Sequence, residues 1–430
     1  MKHIGYIILS ALLFNACLEI PNSFEKLPPG EWRAILKLSD QPILVGESGI
    51  VEADQKLENY FELPFNFEIT YDQSGEMIMV IKNADERITL DDLRYGRDIS
   101  TAKDTVEFHF NDFDTYVDAF YEENFIEGYW KVPYRGNNYQ IPFLAKYGDT
   151  HRFDIDSMDI NYNFNGKWKV EFDFTSENSW PAIAEFQQDG QNINGTFITE
   201  TGDYRYLQGN VEGEKMKLSV FDGSHAFLFS GKVSNDTILG EFRSGSHYKT
   251  TWKAYRDDAF ELKDPFEMTA LTSQGAVDFE FKALNGQMVS LSDKEFEGKI
   301  KLVNIMGSWC PNCKDEILFL KEFQKEYPDI AIISIAFEKY RDEDKALEVL
   351  RRYRKTLDFN WPLLLGGYAN KGETTELLGF VDKIYAYPTL LIVDANNEVV
   401  DIQTGFYGPA TSQYKGFKEN FYNVIENLNK

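Results

Sequence analysis

The tetrapeptide Cys310-Pro311-Asn312-Cys313 constrains this chain more than any other feature. It follows a short apolar run, Lys301-Leu302-Val303-Asn304-Ile305-Met306, and precedes a segment with Ile317, Leu320, Phe323 and Tyr327 on one helical face. A buried strand running into a helix is therefore expected, with the cysteine pair at the helix start. Residues three apart share a helix face, so the two sulfurs can bond without moving the backbone far. The helix start also offers unpaired backbone N–H groups and the positive end of the macrodipole, and both favour a thiolate over a thiol. Cys310 is thus expected to be an exposed nucleophile that forms a mixed disulfide, and Cys313, a turn deeper, the thiol that resolves it. Pro311 costs little at the first helical position, where an N–H would have no helical acceptor. A zinc site would need a second ligand pair, and the chain holds only three cysteines. No metal is expected, and no cofactor beyond the redox-active Cys310–Cys313 disulfide.

The surrounding segment, residues 277–430, alternates strand and helix. Phe279 to Leu291 predicts a hairpin turning at Asn285-Gly286, and Ala331 to Phe337 a strand buried on both faces. Helices are expected over Asp342–Leu357, Thr374–Phe380 and Gln413–Leu428, with strands at Pro362–Leu365, Leu390–Val393 and Glu398–Gln403. Gly366-Gly367 and Lys371-Gly372-Glu373 suggest a mobile loop between Leu365 and Pro388. This third of the chain resembles the TlpA-like thioredoxin-fold family of extracytoplasmic thiol:disulfide oxidoreductases. The hairpin, the Val303-Asn304 strand ending in Trp309-Cys310-Pro311-Asn312-Cys313, and Tyr387-Pro388-Thr389 carry the resemblance. It implies that Trp309 shapes the docking surface. It also implies a cis Pro388, with the backbone at Tyr387 pairing with an extended substrate. Glu316, one turn after Cys313, would assist proton transfer during resolution. Asn304 stands where classical thioredoxins keep a buried acid, which gives Glu316 more weight.

Residues 30 to about 260 show period-two alternation in short runs broken by Gly, Asn and Asp, as in Trp32-Arg33-Ala34-Ile35-Leu36-Lys37-Leu38. Antiparallel sheets, sandwich or barrel, are expected. The fold class is therefore multidomain: an antiparallel β-meander or barrel-like region followed by a thioredoxin-like α/β domain. A weak internal echo divides the β-region into units at 30–150 and 151–260. Gly30-Glu31-Trp32 recurs as Gly166-Lys167-Trp168, and Ile126 to Trp130 as Ile238 to Phe242. Each unit would supply about eight strands, the number that closes a small barrel. The echo reads either as a duplication or as two runs of ordinary meander. Trp130, Tyr134, Tyr204, Tyr206 and Trp252 are read as core rather than as a ligand cup.

The chain opens with Lys2 and an uncharged stretch of 11 residues, Ile4 to Phe14, the length of a signal-peptide core rather than a membrane span. Leu13-Phe14-Asn15-Ala16-Cys17 resembles a bacterial lipoprotein signal. Residues 1–16 would then be removed, Cys17 lipidated, and 17–29 would form a tether. The chain carries 44 basic and 70 acidic residues, so nucleic acid and anionic lipid surfaces are poor partners. From Val277 onward there are 24 acidic and 19 basic residues, so most of the acid excess lies in the β-region. The expected function is reduction of protein disulfides at the cell envelope, periplasm-facing and lipid-anchored. Expected partners are disulfide-containing envelope proteins and, by resemblance, a membrane thiol electron donor. Two alternatives remain. One is a client- or ligand-binding lipoprotein whose redox domain acts only on its bound partner. The other is a thiol peroxidase, although Gly307-Ser308-Trp309 lacks a peroxidatic threonine.

Overall fold

A computed structural model describes residues 26–40, 60–136, 138–273 and 275–429. Cys17, the leader and most of the tether lie outside the described residues.

The first β-unit is a nine-stranded antiparallel sheet. Its opening strand, Gly30–Ser39, lies in the middle, pairing with Tyr60–Tyr71 on one side and Gln140–Tyr147 on the other. The sheet therefore grows outward in both directions and ends at two consecutive strands, Glu86–Leu90 and Leu93–Arg97, which are not paired with each other. This is a half-barrel with an open seam. Strand alternation sends Trp32, Phe65, Phe67, Phe108 and Phe143 into its interior.

The second unit closes. Gly166–Phe172 pairs with both Trp180–Asp189 and Tyr248–Tyr255. Trp180–Asp189 also pairs with Asn192–Thr199, which completes the ring. Eight strands form the barrel, with Gly202–Asp203 a two-residue addition on its rim. An eight-stranded barrel is just wide enough for side chains to fill. Phe197, Phe229 and Phe242 stack along its axis at centroid spacings of 4.4 Å, beside a fully buried Trp252. Trp130 and Trp252 are core residues, and Tyr204 packs against the same aromatic column.

The echoed tryptophans occupy matching places. Each indole N–H donates to the carbonyl four residues earlier, Trp32 to Pro28 at 3.3 Å and Trp168 to Phe164 at 2.9 Å. In both units the first strand pairs with the last. The units also share a core. Phe221 of the barrel inserts among Phe65, Phe110 and Trp130 of the half-barrel, with centroids 4.6 to 5.5 Å away. Gly223 lies so close to the Phe110 ring that a Cβ there would sit 2.0 Å from it.

The C-terminal domain is a seven-stranded mixed sheet. Its order is Met288–Ser290, Glu280–Ala283, Leu363–Tyr368, Ala331–Glu338, Lys301–Met306, Thr389–Val393, Val399–Thr404. The helices are α1 (Pro311–Glu326), α2 (Glu343–Leu357), α3 (Lys371–Leu378) and α4 (Tyr414–Leu428). Strands buried on both faces, such as Ala331–Glu338, occupy the centre. The loop expected after Leu365 is largely structured. Gly366 and Gly367 continue a strand across the Phe337 ring, where a Cβ on Gly366 would meet it at 2.6 Å. Asn370 then caps α3 with its side-chain oxygen, three residues earlier than the expected start. Glycine here marks close approach of backbone to an aromatic ring, which reads the same as flexibility in a bare sequence.

Both β-units dock on the start of α1. Arg205 of the barrel, 6% exposed, lies between Glu86 of the half-barrel, Asp222 of the barrel and Asp315 of α1. Asp112 holds Lys314, and Asp114 holds Arg352 and Tyr340. Removing a cation from such a site leaves buried, uncompensated carboxylates. Arg205→Ala is expected to cost about 3–5 kcal/mol at pH 7. The cost should be smaller at pH 5, where orphaned carboxyls can bind protons. Denaturant unfolding at the two pH values checks this.

Candidate active site

The Lys301–Met306 strand is buried along its whole length and delivers the chain to Gly307 at the top of the sheet. A Cβ on Gly307 would sit 2.3 Å from the Trp309 indole and 2.8 Å from the Phe337 carbonyl, so only glycine lets the turn close. Cys310 follows in extended backbone as the N-cap of α1, with Pro311 in the first turn. Its sulfur takes the place usually held by a capping oxygen and accepts the backbone N–H of Cys313 at 3.3 Å. The same sulfur lies 3.4 Å from the Tyr387 carbonyl, to which the thiol donates. The Tyr387–Pro388 bond is cis. The Trp309 ring stands edge-on to Tyr387 at 5.5 Å, and its N–H donates to the Phe337 carbonyl at 2.9 Å.

Beneath the pair the site is buried. Cys313 is fully buried; burial first, and then the neighbouring Cys310 sulfur, push its thiol well above the ordinary value. Glu316 is also fully buried, and neither carboxylate oxygen has a hydrogen-bond partner among the described residues. Burial, then the charge on Cys310, raise its carboxyl well above the usual range. The side-chain amide of Asn304 is likewise buried without a partner there. Glu316 is therefore an interior acid rather than a solvated helix charge.

One expectation is corrected. Cys310 is 7% exposed rather than open to solvent. Loops of the barrel fold against the motif on both sides of it. Ser224 Oγ donates to the Trp309 carbonyl at 2.8 Å, and the Asn312 amide donates to the Asp203 carbonyl at 3.4 Å. Gly202 packs so tightly on Asn312 that a Cβ would come within 2.1 Å of the amide nitrogen. Tyr134, at the half-barrel's edge, hydrogen-bonds Ser224.

Sequence reasoning missed Glu338. It ends the Ala331–Glu338 strand, 1% exposed, and its carboxylate accepts from Ser308 N–H at 2.9 Å and Ser308 Oγ–H at 2.7 Å. It thus clamps the turn that carries Cys310. A charged residue closing an otherwise unbroken apolar run was the available signal. The covering loops left none, because their role is set only by tertiary contact.

Residues 272–402 match the AhpC/TSA family. Thioredoxin-like protein YneN of Bacillus subtilis is 31% identical over 157 residues, which is 36% of this chain and 82% of that protein. The chain belongs to the TlpA-like thioredoxin-fold family. It is a thiol:disulfide oxidoreductase in that family, a description that several of its relatives carry. Thiol-disulfide oxidoreductase ResA of Halalkalibacterium halodurans is 26% identical, over 32% of this chain and 70% of that one. Among solved structures, a thiol-disulfide oxidoreductase from Bacteroides fragilis is 22% identical, covering 34% of this chain and 98% of its own, with a TM-score of 0.26.

In this family member the Glu338 clamp carries a pH signature. Burial raises its carboxyl from 4.5 to about 7, against the opposing pull of the Ser308 bonds. The folded state therefore keeps a proton that the unfolded chain sheds, so stability falls as pH rises through that window. Glu338→Gln should remove this contribution. Between pH 5 and 7.5 the wild type should lose about 2–3 kcal/mol relative to the variant, measured by urea unfolding. Parallel pH curves would contradict it.

Proposed function

We propose that this protein is an extracytoplasmic reductase of protein disulfides, working through Cys310 and Cys313. The observation that carries the proposal is the Cys310 sulfur held between the Cys313 N–H and the Tyr387 carbonyl, directly above a buried, unpartnered Glu316. The Cys313 N–H and the α1 terminus stabilise negative charge on the Cys310 sulfur. That thiolate attacks one sulfur of a substrate disulfide. The Cys310–substrate S–S bond forms, the substrate S–S bond breaks, and the second substrate sulfur leaves as a thiolate that takes up a proton.

Formation of the mixed disulfide removes the charge on Cys310. One of the two causes that hold the Glu316 carboxyl protonated disappears with it. Glu316 then gives up its proton more readily, passing it to the departing substrate thiolate, and as a carboxylate accepts the proton of Cys313, which it hands to the first substrate sulfur when that leaves. The Cys313 thiolate attacks Cys310, closing the Cys310–Cys313 disulfide and releasing the first substrate sulfur as a thiol. Two electrons pass to the substrate, and the oxidised pair must be re-reduced by a thiol donor. A membrane thiol carrier fits that need in an oxidising envelope, and lipidation at Cys17 would hold the chain near it.

Two variants test the reading. Cys310→Ser should abolish reduction of a protein disulfide by the pre-reduced chain; activity intact in that variant would overturn the assignment. Glu316→Gln should leave mixed-disulfide formation in place but slow its resolution by about 10²-fold. Acid-quenched time courses separate the two steps.

A further inference from the structure

Four cations stand around the Trp309–Cys310 turn and the Tyr385–Tyr387 segment, on a chain with a formal net charge of -26. Lys339 Nζ stands 3.9 Å above the Trp309 ring, next to the nucleophile. Lys371 at the start of α3 donates to the Tyr385 carbonyl, and Lys383 lies 4.6 Å over the Tyr385 ring, two residues before Tyr387. Arg135 approaches from the half-barrel, its guanidinium over the Tyr134 and Tyr139 rings at 5.8 and 5.6 Å. The described partners of these four side chains are rings and carbonyl oxygens rather than carboxylates. Nearby acids are already engaged: Glu373 pairs with Arg341 at 3.0 Å, and Glu338 holds Ser308.

The four share one electrostatic neighbourhood. Burial, then Arg135, lower the Lys339 ammonium from its ordinary value, while Cys310 pulls the other way. Lys371 is lowered by burial and then by Lys383. Arg135 disfavours the charge on Lys339, and Lys383 that on Lys371, which marks a place of unspent positive potential. Screening decides whether this local field or the net charge prevails. At physiological salt the Debye length is about 8 Å, so charges near Cys310 outweigh those of the distant surface.

We infer that this site selects disulfides carried in an extended segment flanked by acidic side chains, with Arg135, Lys339, Lys371 and Lys383 as the specificity-determining residues. The inference rests on the proposed reductase function. The largely buried thiol, flanked by the Ser224 and Asp203 loops, favours an extended segment over a broad surface. One of the four cations comes from the β-region. The β-unit thereby contributes to substrate choice as well as to packing.

The test uses the full chain, pre-reduced and freed of reductant. It reacts with two peptides that enclose the same disulfide loop, one flanked by aspartate and glutamate and one by lysine. Each rate is divided by that peptide's rate with free dithiothreitol. At low salt the acidic peptide should react at least tenfold faster, and the ratio should fall below threefold in 0.5 M salt. An R135Q/K383Q double variant should show a ratio below threefold already at low salt. Equal wild-type rates, or a tenfold ratio that survives in the variant, would overturn the inference alone. Reduction of neither peptide sinks the reductase reading and this inference with it.

Discussion

The site depends on one bond, the Cys313 N–H donated to the sulfur of Cys310. A helix leaves its first N–H groups without partners, and most chains satisfy them with a serine, threonine, asparagine or aspartate oxygen. Here a sulfur does so. The cap and the proposed nucleophile are one atom, so negative charge on it is favoured by the same amide that completes the helix. Gly307, Ser308 and Glu338 set the turn before the cap, and Pro311 starts the helix after it. The cap also ties reactivity to fold, because fraying the first turn of α1 removes the amide from the sulfur.

The β-units make a second demand on that turn. They do not stand apart on a linker. Phe221 of the barrel completes the half-barrel's core, and Arg205 joins both units to Asp315 of α1. Ser224 and Asp203 then hold the backbone of Trp309 and the side chain of Asn312. The consequence is a Cys310 sulfur that is largely covered and lies against Tyr387, with Lys339 close by.

The thioredoxin-like part was legible because its signals are local. An apolar run into Cys310-Pro311-Asn312-Cys313, an Asn-Gly turn and a Tyr-Pro-Thr segment each state their geometry within a few residues. The Trp32 and Trp168 echo was legible for the same reason, since each indole satisfies itself four residues back. Glu338, Ser224, Asp203 and Arg135 were not legible. Ser224, Asp203 and Arg135 act across an interface, and each alone looks like an ordinary polar residue at a turn, while Glu338 closes on Ser308 thirty residues away and left only the weak mark of a charge ending an apolar run. The exposure of Cys310 was misjudged on that account: a motif shows its own helix terminus but not the neighbour that covers it.

The most direct measurement is to trap the first covalent step. Cys313→Ser should leave the attack in place and remove the thiol that completes it. Incubating that chain with a disulfide-bearing protein and mapping the adduct by peptide mass spectrometry should locate a mixed disulfide on Cys310. If Cys310 carries no adduct while the wild-type chain reduces the same protein, the capped sulfur is not the nucleophile and the account is wrong.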